Sequence, residues 1–237
     1  MAGALVCLPT YNERENLAPM LDALEPLGLR VLVIDDNSPD GTGELADELA
    51  AARDWVDVLH RERKEGLGPA YVAGFRQALR GDADFVLEMD CDFSHDPRDV
   101  PRLLAACENG ADLALGSRYV AGGGTVDWGL ARRVVSAGGS LYARTLLGVP
   151  IHDLTGGFKC FRRRVLETID LDAVRAKGYA FQIELTYRAL RAGLRVEEVP
   201  IVFTDRTHGA SKMSRGIFLE AVAHVPALRW AAWRGRL

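Results

Sequence analysis

Two aspartates separated by one residue, Asp90-Cys91-Asp92, stand just after an apolar run, Phe85-Val86-Leu87, and Pro97 then opens what reads as a helix. A buried strand ending in Asp-x-Asp sets two carboxylates at its carboxyl edge, where open α/β sheets bind ligands. The pair suits Mg²⁺ or Mn²⁺, hard cations that take one or two carboxylates together with phosphate oxygens of a substrate. Aspartates also form turns and N-caps between strand and helix, so the triplet alone has a purely structural reading as well.

More acids fall at two other strand ends, Glu13 and Asp35-Asp36. On one rim with Asp90 and Asp92 they would make a pocket that takes a base or ribose by hydrogen bonds and a diphosphate through a cation. The structural alternatives are N-capping by Glu13 and turn stabilisation by Asp36 beside Asn37-Ser38. The second half carries the opposite charge: Arg118 just past a strand, Arg132 on a helix, and Arg206 and Lys212 in a late loop. Arg206-Thr207-His208-Gly209-Ala210-Ser211-Lys212 offers a fork, a small-residue turn and a point charge, a set that can grip phosphate. A solvated basic loop is the alternative. Lysine occurs only at positions 64, 159, 177 and 212, which gives Lys212 more weight. An acidic, cation-binding half facing a cationic half suggests transfer between two phosphate-bearing substrates.

The elements that must position these groups alternate. Strands are expected at 4–9, 31–36, 56–60, 85–89 and 112–116, with helices at 15–27, 42–52, 69–79 and 97–107. Strict β-α-β-α order with short links argues for a mostly parallel sheet with helices on both faces, an α/β fold. No G-x-G-x-x-G follows the first strand, so the dinucleotide fingerprint is missing. Beyond Gly116 come a glycine-rich loop that reads as mobile, a helix at 130–147 interrupted by Gly138-Gly139, a turn into a short strand at 154–160 and a helix at 180–192. An extended stretch at 196–203 and an apolar helix at 216–233 complete the chain. No linker divides the halves. The expectation is one domain: a first half at 1–116, a second half at 117–215 and a C-terminal helix at 216–237.

The strings Leu8-Pro9-Thr10-Tyr11-Asn12-Glu13, Val33-Ile34-Asp35-Asp36-Asn37-Ser38-Pro39-Asp40-Gly41-Thr42 and Met89-Asp90-Cys91-Asp92 resemble those of inverting, GT-A-fold glycosyltransferases of family 2. Gly116-Ser117-Arg118-Tyr119, Leu154-Thr155-Gly156-Gly157-Phe158 and the Arg206 to Lys212 loop narrow the resemblance to polyprenol (dolichol) phosphate mannose synthases. That family transfers mannose from GDP-mannose to a polyprenyl or dolichyl phosphate, with inversion. The resemblance implies that Pro9, Tyr11, Glu13, Ile34 and Asp36 line the nucleotide pocket. It implies that Asp90, Cys91 and Asp92 hold the donor and a Mg²⁺ or Mn²⁺ ion, with Asp92 the more direct ligand. Arg118, Arg132, Ser136, Arg206 and Lys212 would grip phosphates, with Asp92, Arg118, Arg206 and Lys212 closest to the chemistry. Many relatives place a glutamine two residues after the second aspartate as a further metal ligand. Here Ser94 stands there, and its shorter reach leaves room for water or His95 in the cation's shell.

The chain of 237 residues has a net charge of −4, which gives no support to nucleic-acid binding through a broad basic face. Its four cysteines lack zinc spacing and read as reduced thiols. A strand pattern from Ala4 leaves no room for a leader, and no apolar run approaches the ~20 residues of a membrane span. The expected location is the cytoplasm, peripheral to the membrane's cytoplasmic face. Residues 216–237, with Trp230, Trp233 and several arginines, would serve either as an interfacial helix or as an ordinary helix packed on the core. An integral-membrane partner supplying the anchor is a further expectation. The rival functions are transfer of a different sugar on the same scaffold, a silent regulatory subunit that binds nucleotide sugar or lipid phosphate, and nucleotidyl transfer.

Overall fold

A computed structural model describes residues 3–176, 178, 180–205 and 215–237, with side chains in the last segment from residue 222 onward. The first half runs β1 (Ala4–Thr10), α1 (Arg14–Leu24), β2 (Arg30–Asp35), α2 (Thr42–Ala52), β3 (Val56–His60), α3 (Leu67–Arg80), β4 (Phe85–Glu88), α4 (Val100–Glu108) and β5 (Leu113–Ser117). The second half adds β6 (Gly124–Val126), α5 (Leu130–Leu147), β7 (Lys159–Arg162), α6 (Arg163–Thr168), α7 (Ala180–Arg191), β8 (Val196–Pro200), β9 (Val202–Thr204) and α8 (Arg215–Trp233).

Seven strands form one sheet in the order β3-β2-β1-β4-β7-β5-β8, in which β7 alone runs antiparallel to its neighbours β4 and β5. The expected mostly parallel α/β sheet is therefore what the chain forms. Successive residues of a strand face opposite sides. Val6, Leu8, Val31 and Val33 accordingly enter one core beneath α1, α2 and α4. Leu5, Cys7, Leu32 and Ile34 enter the other, beneath α3, α6 and α7. Helices on both faces explain why these strands read as continuous apolar runs rather than alternating ones. On α3, a Cβ at Gly74 would lie 2.4 Å from Ile34 Cδ1, so only glycine lets the helix come this close to β2.

Beyond the sheet, α5, α7 and α8 enclose a third cluster that includes Leu115, Leu147, Ile183, Tyr187, Val225 and Leu228. Parallel pairing of β6 with β9 makes a small ribbon beside it, so the glycine-rich loop after β5 is shorter than expected. The interruption expected at Gly138-Gly139 is absent, and α5 is continuous from Leu130 to Leu147. Helical hydrogen bonding along the rest of α5 outweighs the ~1 kcal/mol per glycine that propensity costs. Among the described residues, nothing lies within 4 Å of where a Cβ would stand at either glycine.

Candidate functional site

β1, β2 and β4 are parallel, so the loops after them share one edge of the sheet. The chain builds β2 and β3 to one side of β1, then returns to add β4 on the other. The crevice at such a switch point is where open α/β sheets bind ligands, and Tyr11 to Glu13 and Asp90 to Ser94 flank it. Each of the three rim loops contains a non-glycine residue in the left-handed region: Asn12 (φ 58°), Asn37 (φ 57°) and Phe93 (φ 59°). Asparagine adopts this conformation easily, whereas for phenylalanine it is strained by on the order of 1–2 kcal/mol. The backbone of the Asp-x-Asp loop is held in shape by its surroundings.

Those surroundings are specific. Asp90 Oδ1 accepts a hydrogen bond from the buried Tyr71 hydroxyl at 3.3 Å, and the Asp90 backbone N–H donates to His95 Nδ1 at 3.1 Å. His95 is buried and stacks on Phe158 with ring centroids 4.8 Å apart. Because Nδ1 accepts the backbone N–H, a neutral His95 carries its proton on Nε2. This corrects the expectation of His95 as a cation ligand, since neither ring nitrogen of that tautomer has a lone pair to offer. Asp92 is buried and accepts the Ser94 backbone N–H at 3.0 Å. Cys91 points into the core, so only its backbone faces the site.

Among the described residues, no group of three His, Cys, Asp or Glu side chains is placed to hold a metal ion. Asp90 and Asp92 would serve a cation together with oxygens from a substrate, the manner in which Mg²⁺ is usually held. The Ser94 hydroxyl is buried and has no hydrogen-bond partner among the described residues, an orphan that a cation or its water would satisfy.

On the nucleotide side, Asp36 is paired with Arg61 and Asp35 is turned inward to Ser38 Oγ at 2.6 Å and Thr10 Oγ1 at 3.1 Å. Burial pushes the Asp36 carboxyl above its ordinary range, and Arg61 offsets only part of that push. Glu13 occupies the N-cap position of α1 without a side-chain cap; its carboxylate instead accepts from Asn16 Nδ2 at 2.8 Å. Tyr11 lies under the Lys64 ammonium, 3.7 Å from the ring centroid. Pro9 is partly exposed at the end of β1. Ile34 is the exception. Its side chain is wholly buried in the core against α3, so it can line a pocket with backbone alone.

Across the edge, Arg118 is buried and held by Asp153, with Nε and Nη2 donating at 2.7 Å to the two carboxylate oxygens. Burial raises the Asp153 pKa and Arg118 more than cancels the rise, holding the carboxyl below its ordinary range. Arg118 Nη2 also donates to Thr155 Oγ1 at 2.9 Å, and the guanidinium lies near the rings of Tyr119, Trp128 and Phe203. Arg132 covers Trp128 at 4.1 Å and pairs with Asp205 at 2.6 Å. Ser136 accepts the Tyr119 hydroxyl at 2.7 Å. Arg206 and Lys212 lie outside the described residues.

A cavity of about 510 Å³ opens beside Asp90 and Arg118. Its walls come from α5 (Arg132, Val134, Val135, Ser136, Gly138, Gly139, Tyr142), from Trp128, Ile201 and Phe203, and from Val222 and Val225 of α8. Thr155, Gly156, Gly157 and Gln182 complete its lining. It is mostly apolar, with Asp90, Arg118, Arg132, Ser136 and Thr155 among its polar wall residues. The structure thus brings Asp90, Arg118, Arg132 and Ser136 around one space. Asp153, Trp128 and Gln182 belong to the site region as well, though nothing in their spacing announced them. Asp153 and Thr155 flank the Leu154-Thr155-Gly156-Gly157 string, and that adjacency was the available signal.

Fold, acidic rim and cation-lined cavity together define a GT-A-type transferase acting on a nucleotide-linked sugar. The model of glycosyl transferase family 2 matches residues 5–170, and the chain belongs to that family. It is 52% identical over 238 residues to a polyprenol monophosphomannose synthase of Mycolicibacterium smegmatis, covering 98% of this chain and 88% of that one. It is 49% identical over 239 residues to an undecaprenyl-phosphate mannosyltransferase of Micrococcus luteus, covering 98% of each. Glucosyl-3-phosphoglycerate synthase from Mycobacterium tuberculosis, solved with Mn²⁺, UDP and glucosyl-3-phosphoglycerate, shares the fold with a TM-score of 0.65 at 21% identity. That match covers 99% of this chain and 80% of the solved one.

Proposed function

We propose that the protein transfers mannose from GDP-mannose to the phosphate of a polyprenyl phosphate, inverting the anomeric carbon. The observation that carries this reading is the mostly apolar cavity whose lining also includes Asp90, Arg118 and Arg132. An isoprenoid chain suits the apolar walls, and a phosphate suits the arginines. Two relatives at about half identity over nearly the whole chain are named for the same reaction class.

In this reading the nucleotide lies against Tyr11, Glu13 and Asp36, and the acceptor phosphate enters beside Arg118. A phosphate monoester is largely ionised near neutrality, with a second pKa of about 6, so no general base is required. An acceptor oxygen attacks C1 of mannose as the C1–O bond to the diphosphate breaks. The electron pair leaves with GDP, and no proton needs to move. The residues supply alignment and positive potential, the terms that dominate such transfers. Asp90, Asp92 and Ser94 would hold a divalent cation, which when bound neutralises the departing diphosphate. Arg132, Ser136, Arg206 and Lys212 remain proposed phosphate contacts.

The test is transfer in detergent with Mg²⁺ from GDP-mannose to a polyprenyl phosphate, with UDP-glucose run beside it. Mannosyl lipid formed from GDP-mannose alone supports the reading, and transfer from UDP-glucose alone overturns the donor. A chelator is expected to stop turnover, and full activity in its presence removes the cation from the proposal.

The acceptor also argues for a site at the membrane surface. No helix among the described residues is long and apolar enough to cross a membrane. α5 buries only Ser140, Ala143 and Leu147, while Leu130, Val134 and Leu141 are 78%, 63% and 61% exposed along its other side. Trp230 and Trp233 of α8 are also exposed, whereas Val225, Leu228 and Ala232 are buried. The C-terminal helix is therefore packed on the core and also presents an apolar outer face, so deleting it would open the core. Point changes are the better test. Leu130→Glu with Leu141→Glu is expected to lower flotation with liposomes at least tenfold without changing thermal stability. Unchanged flotation refutes this membrane face.

A further inference from the structure

Charge is spread unevenly over this protein. Residues 130–147 and 215–237, which hold α5, α8 and the segment after it, contain seven arginines and one acid, Glu220. The whole chain has a net charge of −4, so the remainder is more acidic still. Elsewhere, surface arginines such as Arg30, Arg76, Arg98, Arg102, Arg164 and Arg195 each lie against a carboxylate. On α5 and α8 the partners are neutral. Arg133 donates to the Thr125 carbonyl at 3.2 Å, Arg229 donates to the Leu147 carbonyl at 3.1 Å, and Arg234 covers the Trp230 ring at 3.7 Å. Among the described residues, none of these three, nor Arg144 or Arg236, is paired with a carboxylate.

These cations stand among exposed apolar side chains. On α5, Arg133 follows Leu130 and Arg144 follows Leu141 by three residues, a spacing that places neighbours on one helix face. On α8, Val222, Pro226, Arg229, Trp230 and Trp233 recur at intervals of three or four residues and are all exposed. The Tyr142 hydroxyl donates to the Val222 carbonyl at 3.0 Å, so the two helices lie side by side. Val134, Tyr142 and Val222 are exposed and also line the cavity, which therefore borders this face.

Guanidinium groups gathered on an apolar face without carboxylates repel one another. Against a layer of anionic head groups they gain attraction and hydrogen bonds to phosphate, while tryptophan and aliphatic side chains enter the acyl boundary. We propose that α5 and α8 form a docking surface for the anionic phospholipids of a bilayer, with Arg133, Arg144, Arg229, Arg234 and Arg236 selecting for head-group charge. The inference rests on the membrane face proposed above and adds to it the charge of the lipid it meets. That lipid is the bulk phospholipid, not the phosphate-bearing acceptor that enters the cavity. The acidic remainder of the chain is repelled by the same surface. Attraction on one side and repulsion on the other turn the cavity toward the bilayer before apolar contacts form.

The experiment measures flotation with vesicles free of polyprenyl phosphate, one set of phosphatidylcholine and one in which about a third is phosphatidylglycerol. Wild type is expected to bind the anionic set at least tenfold more tightly, since each arginine near such a surface strengthens binding about fivefold. Raising the salt to about 0.5 M should remove most of that difference. Arg133→Gln combined with Arg144→Gln and Arg234→Gln is expected to lose the preference and keep its binding to phosphatidylcholine. Leu130→Glu with Leu141→Glu should instead weaken binding to both sets. Thermal unfolding identifies any variant that has lost its fold. Equal binding of wild type to both sets overturns the proposal, as does a folded triple variant that keeps the preference. Binding to neither set overturns it too, and leaves an acidic protein as the partner to seek. Transfer in detergent, measured on the same proteins, separates this inference from the reaction. A charge preference supports it even where wild type transfers no mannose. Transfer by a wild type that shows no preference overturns it and leaves the reaction standing.

Discussion

Asp92→Ala is expected to lower mannose transfer by about a thousandfold or more while the protein stays folded. The magnitude is that of losing a pre-placed charge which stabilises a leaving group in a water-poor site. Asp92 has a second task, because its Oδ1 accepts the Ser94 backbone N–H at 3.0 Å and so helps set the loop that contains the strained Phe93. Alanine removes both functions, so Asp92→Asn is the informative partner. Asparagine keeps an oxygen for the Ser94 N–H but carries no charge. Both variants are expected to lose transfer to a similar extent, and both should lose the Mg²⁺ dependence of GDP-mannose binding measured by calorimetry. If Asp92→Asn is active and only Asp92→Ala is dead, Asp92 shapes the loop and does not hold a cation.

Asp153→Ala is expected to cost stability rather than chemistry first. The Asp153 carboxylate is fully buried and receives three hydrogen bonds from Arg118, from Nε, Nη2 and the backbone N–H. Its removal strands a guanidinium that is itself only 9% exposed. Breaking a buried pair from one side costs about 3–5 kcal/mol, far more than the pair contributes over an apolar substitute. For a chain of this size that is a large part of the total stability, about 5–15 kcal/mol. Denaturant titration measures it, and a change below about 1 kcal/mol would mean that Arg118 finds other partners. The pH dependence has a definite sign. The folded-state pKa of Asp153 lies below its ordinary value of 3.8, so the stabilisation is present above that pH. It is lost as the pH falls through the lower, folded value. Wild type should therefore lose stability in acid more steeply than Asp153→Asn. Equal acid slopes would deny Asp153 that role.

The pairing with Asp153 also changes how Arg118 can act. From the sequence it reads as one of the cations that grip phosphate. In the fold its charge is already balanced by a carboxylate, and aromatic rings of Tyr119, Trp128 and Phe203 surround it. A phosphate beside it meets a well-aligned donor of fixed orientation rather than an unpaired charge. This suits binding that must be reversible, because product has to leave the same site.

The alternation of strands and helices, the acids at strand ends and the position of the Asp-x-Asp loop were all legible along the chain. Each is a local property. Helix and strand periodicity depends on neighbours three or four residues apart, and parallel strands put all their carboxyl ends on one edge whatever the side chains are. Nothing local could announce that β7 would run antiparallel between β4 and β5, which brings Lys159 beside Glu88. Nor could it show that Ile34 would turn its side chain toward Gly74 of α3 and leave the pocket to its neighbours. The glycine pair at 138–139 reads as a helix break from propensity. Hydrogen bonding along the rest of α5 keeps the helix whole, and among the described residues nothing stands where the missing side chains would be.

By itself, then, the sequence determined the α/β class, the rim that carries Tyr11, Glu13, Asp36, Asp90 and Asp92, and the family to which these strings belong. Only the tertiary structure decided which charges are already paired, Arg61 with Asp36 and Arg118 with Asp153, and that a mostly apolar cavity opens beside Arg118. The physical reason is range. Backbone geometry is set by short-range sterics and periodicity, whereas ion pairing, burial and cavities depend on residues 25 to 35 positions apart or more that meet only when the chain closes.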